Sequence, residues 1–298
     1  MKVLNIEVSE TLLATWQGWL APGIQPFFLT NEEAADLPPR KTHPNRPVLR
    51  GIPPTVPKLH ALRATFEVFN VDTNLLPVWL AEAEFMELPK QTRARIVRAQ
   101  VAHRRGAVPT VQRWADLLDA NVLRSQADGH RFVWWPSLVA TRPSDILQRV
   151  VADSFPPSKH KEVSAKTWTR CAKVLPEAKR LAGTFAGTSG PNCFGTVMTA
   201  AGVANIEDAW VFQDPFEEWL NNVATPGGDD QTTGTVLVWR NTDNLALHAA
   251  VTIGDGWALE KPSQAWLSPR AILPVAEIIR AGRRRGVHLA RYSLAKTG

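Results

Sequence analysis

Residues 245–262, which read LALHAAVTIGDGWALEKP, predict a β-hairpin. Two apolar runs flank Gly254, Asp255 and Gly256, residues that are typical of a tight turn between strands. Alternation along the first strand places one set of side chains on the buried face, namely Leu247, Ala249, Val251 and Ile253. It places the other set on the opposite face, namely His248, Ala250 and Thr252.

The number of residues in the turn decides where Glu260 points. With three turn residues, Ala250 faces Glu260, so Glu260 shares a face with His248 at a diagonal distance of ~7–8 Å. With two turn residues, Glu260 moves to the opposite face, because a one-residue slip reverses every side chain. Pairing of His248 with Glu260 therefore requires a third turn residue in the left-handed conformation, which Gly256 permits.

A second motif, residues 187–196, reads GTSGPNCFGT and predicts a glycine-rich turn that leads into a helix. Asn192 is a good N-cap and makes Cys193 the first helical residue, and Gly202 is expected to end the helix. Free amides and the helix dipole favour the thiolate at that position. The alternatives are a packed, unreactive cysteine for Cys193 and an ordinary strand histidine for His248.

The order of these motifs resembles that of the NlpC-type cysteine peptidases, which have a papain-like fold. A cysteine opens a helix, a GTVLV strand follows at Gly234–Val238, and the histidine hairpin ends on a polar residue. The resemblance implies that Cys193 is the nucleophile, His248 the base and Glu260 the residue that orients the base. It also implies a bacterial enzyme that cleaves peptidoglycan peptides next to a γ-linked D-glutamyl residue.

The resemblance covers residues 188–294, and this chain departs from the family pattern at several positions. Asn192 stands where the family often has Asp, Phe194 where it often has Ser, and Glu260 where it most often has His. A longer segment, Glu207–Thr233, also separates the cysteine helix from the GTVLV strand. Asn192 and Trp257, which are next to the motifs in sequence, are predicted to bind substrate.

The predicted fold class is α+β. Residues 156–298 are expected to form a papain-like domain in which an antiparallel sheet packs on the cysteine helix. Residues 1–155 are expected to form an α/β or α+β domain of unknown type and role. The polar, proline-containing run Ser154–Lys161 marks the expected boundary.

Apolar spacing and prolines predict the remaining elements. Helices are expected at Glu10–Leu20, Pro89–His103 and Val163–Leu181, the last with Cys171 in a buried stripe where a thiol is inert. Strands are expected at Phe66–Val71 and, as an edge strand because of Pro136, at Arg131–Val139. The proline-dense segment Leu37–Leu59 is expected to be an irregular surface connection.

Composition limits the compartment and the partners. The chain has no apolar run long enough to span a membrane and no secretory signal, so we expect a cytoplasmic protein or one exported without a signal. Two cysteines without a CxxC pair predict neither a disulfide framework nor a metal site, and no cofactor is expected. The net charge is +6, and six arginines follow residue 269, which favours an anionic partner at the C-terminal surface.

Together these features predict a cysteine-dependent hydrolase of amide bonds, peptide or isopeptide, that acts through Cys193, His248 and Glu260. The substrate is expected to be peptide-like or derived from peptidoglycan. An acyltransferase on the same scaffold is one alternative. The others are a non-catalytic binding module with a basic surface and a nucleic-acid-binding protein.

Overall fold

The computed structural model describes residues 1–35, 37, 57–72, 74–106 and 108–295. Two units are distinguished by their internal contacts. The C-terminal unit comprises Met1–Val8 and Val150–Gly298, and the N-terminal unit comprises Ser9–Arg149. Most of the predicted connection at Leu37–Leu59 lies outside the described residues.

Both units contain helices and strands, so the chain is of mixed α+β class. The helices are α1 (Glu10–Leu20), α2 (Asn31–Ala35), α3 (Pro57–Thr65), α4 (Glu82–Glu87), α5 (Lys90–Ala102), α6 (Val111–Trp114), α7 (Ala120–Gln126), α8 (Pro136–Val139), α9 (Pro143–Ala152), α10 (Ala165–Cys171), α11 (Ala178–Leu181), α12 (Cys193–Ala200), α13 (Gln213–Val223) and α14 (Val275–Ala281). The strands are β1 (Lys2–Val3), β2 (Ile6–Glu7), β3 (Ile24–Leu29), β4 (Leu76–Ala81), β5 (Thr184–Phe185), β6 (Ala224–Pro226), β7 (Thr235–Arg240), β8 (Ala246–Gly254), β9 (Trp257–Glu260), β10 (Pro269–Pro274) and β11 (His288–Leu294). Among the described residues, no helix is both long and apolar enough to cross a bilayer.

The N-terminal unit packs its helices around the antiparallel pair β3–β4. Its core contains an aromatic trio in which Phe85 lies 5.5 Å from both Phe27 and Trp135, measured between ring centroids. The helix predicted at Glu10–Leu20 is confirmed with those bounds, and Ser9 caps it. The helix predicted at Pro89–His103 is confirmed as α5.

Two strand predictions in this unit are wrong. Residues 66–71 form turns after α3, and Val68 and Val71 are buried without strand pairing, whereas Phe69 is exposed. Arg131 makes only a single bridge to Thr110, and Pro136 starts helix α8. Proline suits the first turn of a helix because the amide hydrogen that it lacks has no partner there. Short apolar runs of this kind occur in buried helices and turns as well as in strands.

The C-terminal unit is built on a seven-stranded sheet in which every neighbouring pair is antiparallel. The strand order is β5-β10-β9-β8-β7-β11-β6, so β8 and its histidine lie near the centre. Strand β7, TVLVWR, is buried at every position, as expected for a strand covered on both faces. One face packs against helices α10 to α13, and the other packs against α14.

The helix predicted at Val163–Leu181 is two helices, α10 and α11, separated by a turn that contains Pro176. A proline in a helix interior removes a hydrogen bond and clashes with the preceding turn, so a continuous helix was the wrong prediction. The apolar stripe is nevertheless buried as predicted, with its members at Trp168, Cys171, Leu175, Ala178 and Leu181.

Helix α12 begins at Cys193 with Asn192 as its N-cap, as the sequence predicted. It packs on strands β8 and β9 of the sheet. Past its end, Gly202 adopts a left-handed conformation with φ +96°, which ends the helix at little cost for a glycine. Phe194 stacks on Phe216 of α13 at 4.3 Å between ring centroids, which fixes the first turn of α12 against its neighbour.

Candidate active site

Hydrogen bonds of the N-cap residue Asn192 hold the first turn of α12, which begins at Cys193. The Asn192 side chain accepts a hydrogen bond from the Gly195 amide at 3.1 Å and donates one to the Val211 carbonyl at 2.6 Å. Asn192 is 8% exposed. These contacts give Asn192 a structural role at the N-cap, and its assignment to substrate binding stays a prediction.

Strand β8 carries His248 between two β-bulges. Trp239 pairs with His248 but Arg240 pairs with Ala246, so Leu247 is an extra residue on β8. Leu247 is 52% exposed, and its predicted place on the buried face is wrong because the bulge turns it outward. The other predicted buried members, Ala249, Val251 and Ile253, are fully buried.

The second bulge decides the position of Glu260. Gly254 pairs with Trp257, so the turn contains two residues, Asp255 and Gly256, both with positive φ. The predicted three-residue turn is therefore wrong. Thr252 pairs with Ala258, so Ile253 is an extra residue that restores the register, and Ala250 faces Glu260 as expected.

Glu260 consequently meets His248 across the strand pair. The Nε2 atom of His248 lies 3.4 Å from Oε2 of Glu260, at the outer limit of hydrogen bonding. The His248 side chain is 23% exposed and that of Glu260 is 9% exposed.

The two cysteines have opposite electrostatic environments. Burial disfavours the Cys193 thiolate, but the charge and hydrogen bond of His248 and the amides of Ala249 and Phe194 outweigh it and lower the thiol pKa. For Cys171, burial acts alone and raises the pKa to about 12. Of the two thiols, Cys193 is therefore the one whose thiolate form its surroundings favour.

The imidazole of His248 is shifted in the complementary direction. Burial disfavours its positive form, but the Cys193 thiolate and then Glu260 outweigh burial and raise the pKa of His248 to about 10. The histidine thus keeps its proton at pH values where the thiol has lost one. The two shifts favour a thiolate–imidazolium ion pair over the neutral thiol–imidazole pair.

Trp239, which the sequence did not single out, lies beside the histidine with its ring tilted against the imidazole. Its ring lies 5.2 Å from the imidazole between centroids, and it is 4% exposed. On its other side the indole lies against Gly282, where a Cβ atom would overlap the indole nitrogen. Trp239 therefore restricts the imidazole orientation, and Gly282 leaves the space for Trp239.

Lys261 is a second residue that the sequence gave no reason to select. Its side chain is fully buried and donates to the carbonyls of Ser263 at 2.7 Å and Ala265 at 3.1 Å. Burial and then the positive charge of Arg270 lower the pKa of Lys261 well below its ordinary range, whereas the Cys193 thiolate acts in the opposite sense. Lys261 has no ion-pair partner among the described residues, and lysine is seldom buried in this way.

A cavity of about 610 Å³ opens beside His248 and Glu260, on the sheet face that packs against α14. Cys193 is not among the described residues that line it, and it belongs to the core cluster on the α12 side. Trp257 does not line the cavity either. It lies at the turn of the hairpin, partly buried against the α12-side core, so its role in substrate binding stays a prediction.

The acidic pair that follows Gly227 and Gly228 has structural partners. Asp229 accepts hydrogen bonds from the amides of Gln231 and Thr232, each at 2.7 Å, and Asp230 pairs with Arg291 at 2.9 Å. No three histidine, cysteine, aspartate or glutamate side chains of the described residues converge as metal ligands would.

Comparison of the chain with protein-family models, with curated protein sequences and with solved structures gave no match.

Proposed function

We propose that this protein is a cysteine-dependent hydrolase of amide bonds that acts through Cys193, His248 and Glu260. One observation carries the proposal: the charge and hydrogen bond of His248 lower the pKa of the Cys193 thiol, and the Nε2 atom of the same histidine lies 3.4 Å from Oε2 of Glu260. A nucleophile, a base and a residue that orients the base are the parts that acyl transfer by a thiol requires.

In the proposed reaction the Cys193 thiolate attacks an amide carbonyl and forms a tetrahedral intermediate. The Cys193 amide, one of the N-terminal donors of α12, is the group we assign to the oxyanion. His248 donates its proton to the leaving amine, which leaves a thioester on Cys193. His248 then accepts a proton from water, and the hydroxide attacks the thioester carbonyl, which releases the acid and restores the Cys193 thiolate beside the imidazolium.

Glu260 keeps the imidazole oriented and favours its positive form through these steps. A carboxylate in this position stabilises the imidazolium without taking its proton, as in other triads. A histidine, the commoner residue in the family that the sequence resembles, has no negative charge with which to do so. Glutamate in place of that histidine therefore favours the thiolate–imidazolium pair of this site over the neutral pair.

The architecture of the C-terminal unit supports a papain-like fold for it, since the cysteine helix packs on an antiparallel sheet whose central strand carries the histidine. Together with the resemblance to NlpC-type peptidases, it makes peptide-like amides the first substrates to test. Stem peptides of peptidoglycan with a γ-linked D-glutamyl amide belong at the head of that panel.

The test is trapping of the acyl-enzyme. Incubation with acyl-aminomethylcoumarin amides and with peptidoglycan stem peptides should release amine and leave a thioester on Cys193, detectable by mass spectrometry of the peptide that contains it. Cys193→Ala should abolish both signals, and Cys171→Ala is the matched control that should leave both unchanged. Turnover that persists in Cys193→Ala would overturn the proposal.

A further inference from the structure

The cavity beside the triad has charged groups at its rim and apolar walls between them. Its volume of about 610 Å³ lies in the range of small-molecule sites. Trp239, Leu273 and Ile278 form part of the apolar wall. A site of this kind buries an apolar group and orients it by the few polar groups that converge on it.

The charged groups of the cavity are not equally satisfied. Of its two carboxylates, Glu260 contacts His248, and Glu277 is paired with Lys159 at 2.9 Å. Its two guanidinium groups, on Arg280 and Arg284, have no hydrogen-bond or ion-pair partner among the described residues. The acids are therefore neutralised within the chain, whereas the arginines are left for an anion from outside it.

Arginine suits this position because its planar group binds a carboxylate by two parallel hydrogen bonds. Both arginines are exposed, so each ion pair is screened by solvent and contributes modestly. Two such groups at the edge of an apolar cavity nonetheless discriminate a carboxylate from a neutral group of the same size. Arg283 and Arg285 are also exposed in the same segment but do not line the cavity.

We propose that this cavity binds the part of the substrate that carries an apolar side chain and a carboxylate, with the carboxylate at Arg280 and Arg284 and the apolar group against Trp239. The identification of this ligand as a substrate rests on the function proposed above. The binding site itself does not, because the cavity and its unpaired arginines exist whether or not Cys193 turns over.

The test measures binding in a form of the full chain that cannot react. Titration calorimetry on Cys193→Ala compares N-acetyl-phenylalanine, which has an apolar ring and a carboxylate, with its neutral carboxamide. The carboxylate should bind about threefold to tenfold more tightly, as two screened ion pairs allow. The preference should shrink as salt is raised, because the pairs are exposed.

Matched double variants locate the preference. Arg280→Gln with Arg284→Gln should abolish it, whereas Arg283→Gln with Arg285→Gln removes the same charge and should retain it. Equal affinity for the two ligands, or an equal loss in both double variants, would overturn the inference. Equal loss would mean that the ligand responds to net charge and not to the cavity.

A second readout ties the cavity to the triad. In the unmodified protein, N-acetyl-phenylalanine should slow iodoacetamide alkylation of Cys193, since a ligand in the cavity contacts His248. It should do so with the concentration dependence found by calorimetry, and binding without such protection would overturn the assignment to the substrate. If binding and protection hold while no amide is turned over, the proposed function fails and the carboxylate site stands.

Discussion

Selective alkylation is the most direct prediction of the electrostatics of the two cysteines. At pH 7 a thiol with a pKa of about 12, the value for Cys171, has about 10⁻⁵ of its molecules as thiolate. A thiol at the ordinary value of 9.0 has about 10⁻², and the pKa of Cys193 is below that. Because only the thiolate reacts, Cys193 should be alkylated more than about 10³ times faster than Cys171.

The assay is iodoacetamide labelling of the native protein, with each cysteine-containing peptide quantified by mass spectrometry as a function of pH. The rate at Cys193 should rise and level off at a lower pH than for an unperturbed thiol. Exposure also differs, since Cys193 is 8% and Cys171 0% exposed. Limited access, however, scales the rate equally at all pH values, so the position of the rise reports the thiol pKa alone.

His248→Gln supplies the perturbation. It removes the positive charge that favours the thiolate, so the rise should move to higher pH, and each unit of displacement lowers the rate at pH 7 about tenfold. Unfolding in urea should make the two cysteines equivalent in either form of the protein. Comparable labelling of both cysteines in the native state, or a profile that His248→Gln leaves in place, would refute the proposed ion pair.

Three other perturbations test the surroundings of the pair. Glu260→Gln should lower the pKa of His248, because the hydrogen bond and charge of the carboxylate raise it. NMR titration of the imidazole in Cys193→Ala, with and without the substitution, measures the contribution of Glu260, and an unchanged pKa would contradict it. Deletion of Ile253 removes only the extra residue of the bulge, so Ala250 should still face Glu260 and Cys193 should stay selectively reactive, and Ile253→Val, which retains the bulge, should cost only about 0.5–1.5 kcal/mol. Loss of selective thiol reactivity in the deletion variant would contradict the assignment of Ile253 as the residue that restores the register. Gly282→Ala should lower the free energy of unfolding in urea by about 1–3 kcal/mol, because the added methyl group would overlap the indole of Trp239. Gly187→Ala is the control and should be nearly neutral, because there is open space around Gly187. Equal effects of the two substitutions would exclude the overlap as the cause.

The position of Cys193 could be predicted because its signals are local. An asparagine cap, a glycine-rich approach and an apolar stripe lie within a few residues of each other, and the structure places the helix start where they indicate. The strands expected at Phe66–Val71 and Arg131–Val139 failed because short apolar runs do not distinguish strands from buried turns and helices. Pro136, which excluded a central strand, in fact begins a helix.

Lys261 and Trp239 could not be predicted, because their surroundings are assembled from distant parts of the chain. A lysine after a strand is ordinarily solvated, and only the folded loop brings the carbonyls of Ser263 and Ala265 around its ammonium group. The contact of Trp239 with His248 depends on the pairing of β7 with β8 and on the space left by Gly282. No pattern within one element reports either arrangement.

The hairpin shows why a prediction can reach the right geometry for the wrong reason. Alternation along the strands fixes the number of residues that must lie between His248 and Glu260 for their side chains to share a face. It does not fix where an extra residue is inserted. The turn takes two residues and the bulge at Ile253 takes the third, so the count is preserved. Thr167 and Arg170 of α10 both bind the Asp255 side chain, and they hold the turn in this form.

The two bulges of β8 let the central segment of the strand keep its alternation of faces while the two strand ends pair in different registers. Between Leu247 and Ile253, burial of Ala249 and Val251 fixes one face of the strand against α12, so His248 must lie on the other. Each bulge absorbs one residue, which lets the strand ends pair in their own registers without rotating this central segment. The geometry of the triad therefore depends on the number of residues between the bulges more than on their identity. A local insertion there would separate histidine from glutamate even if every buried side chain were retained.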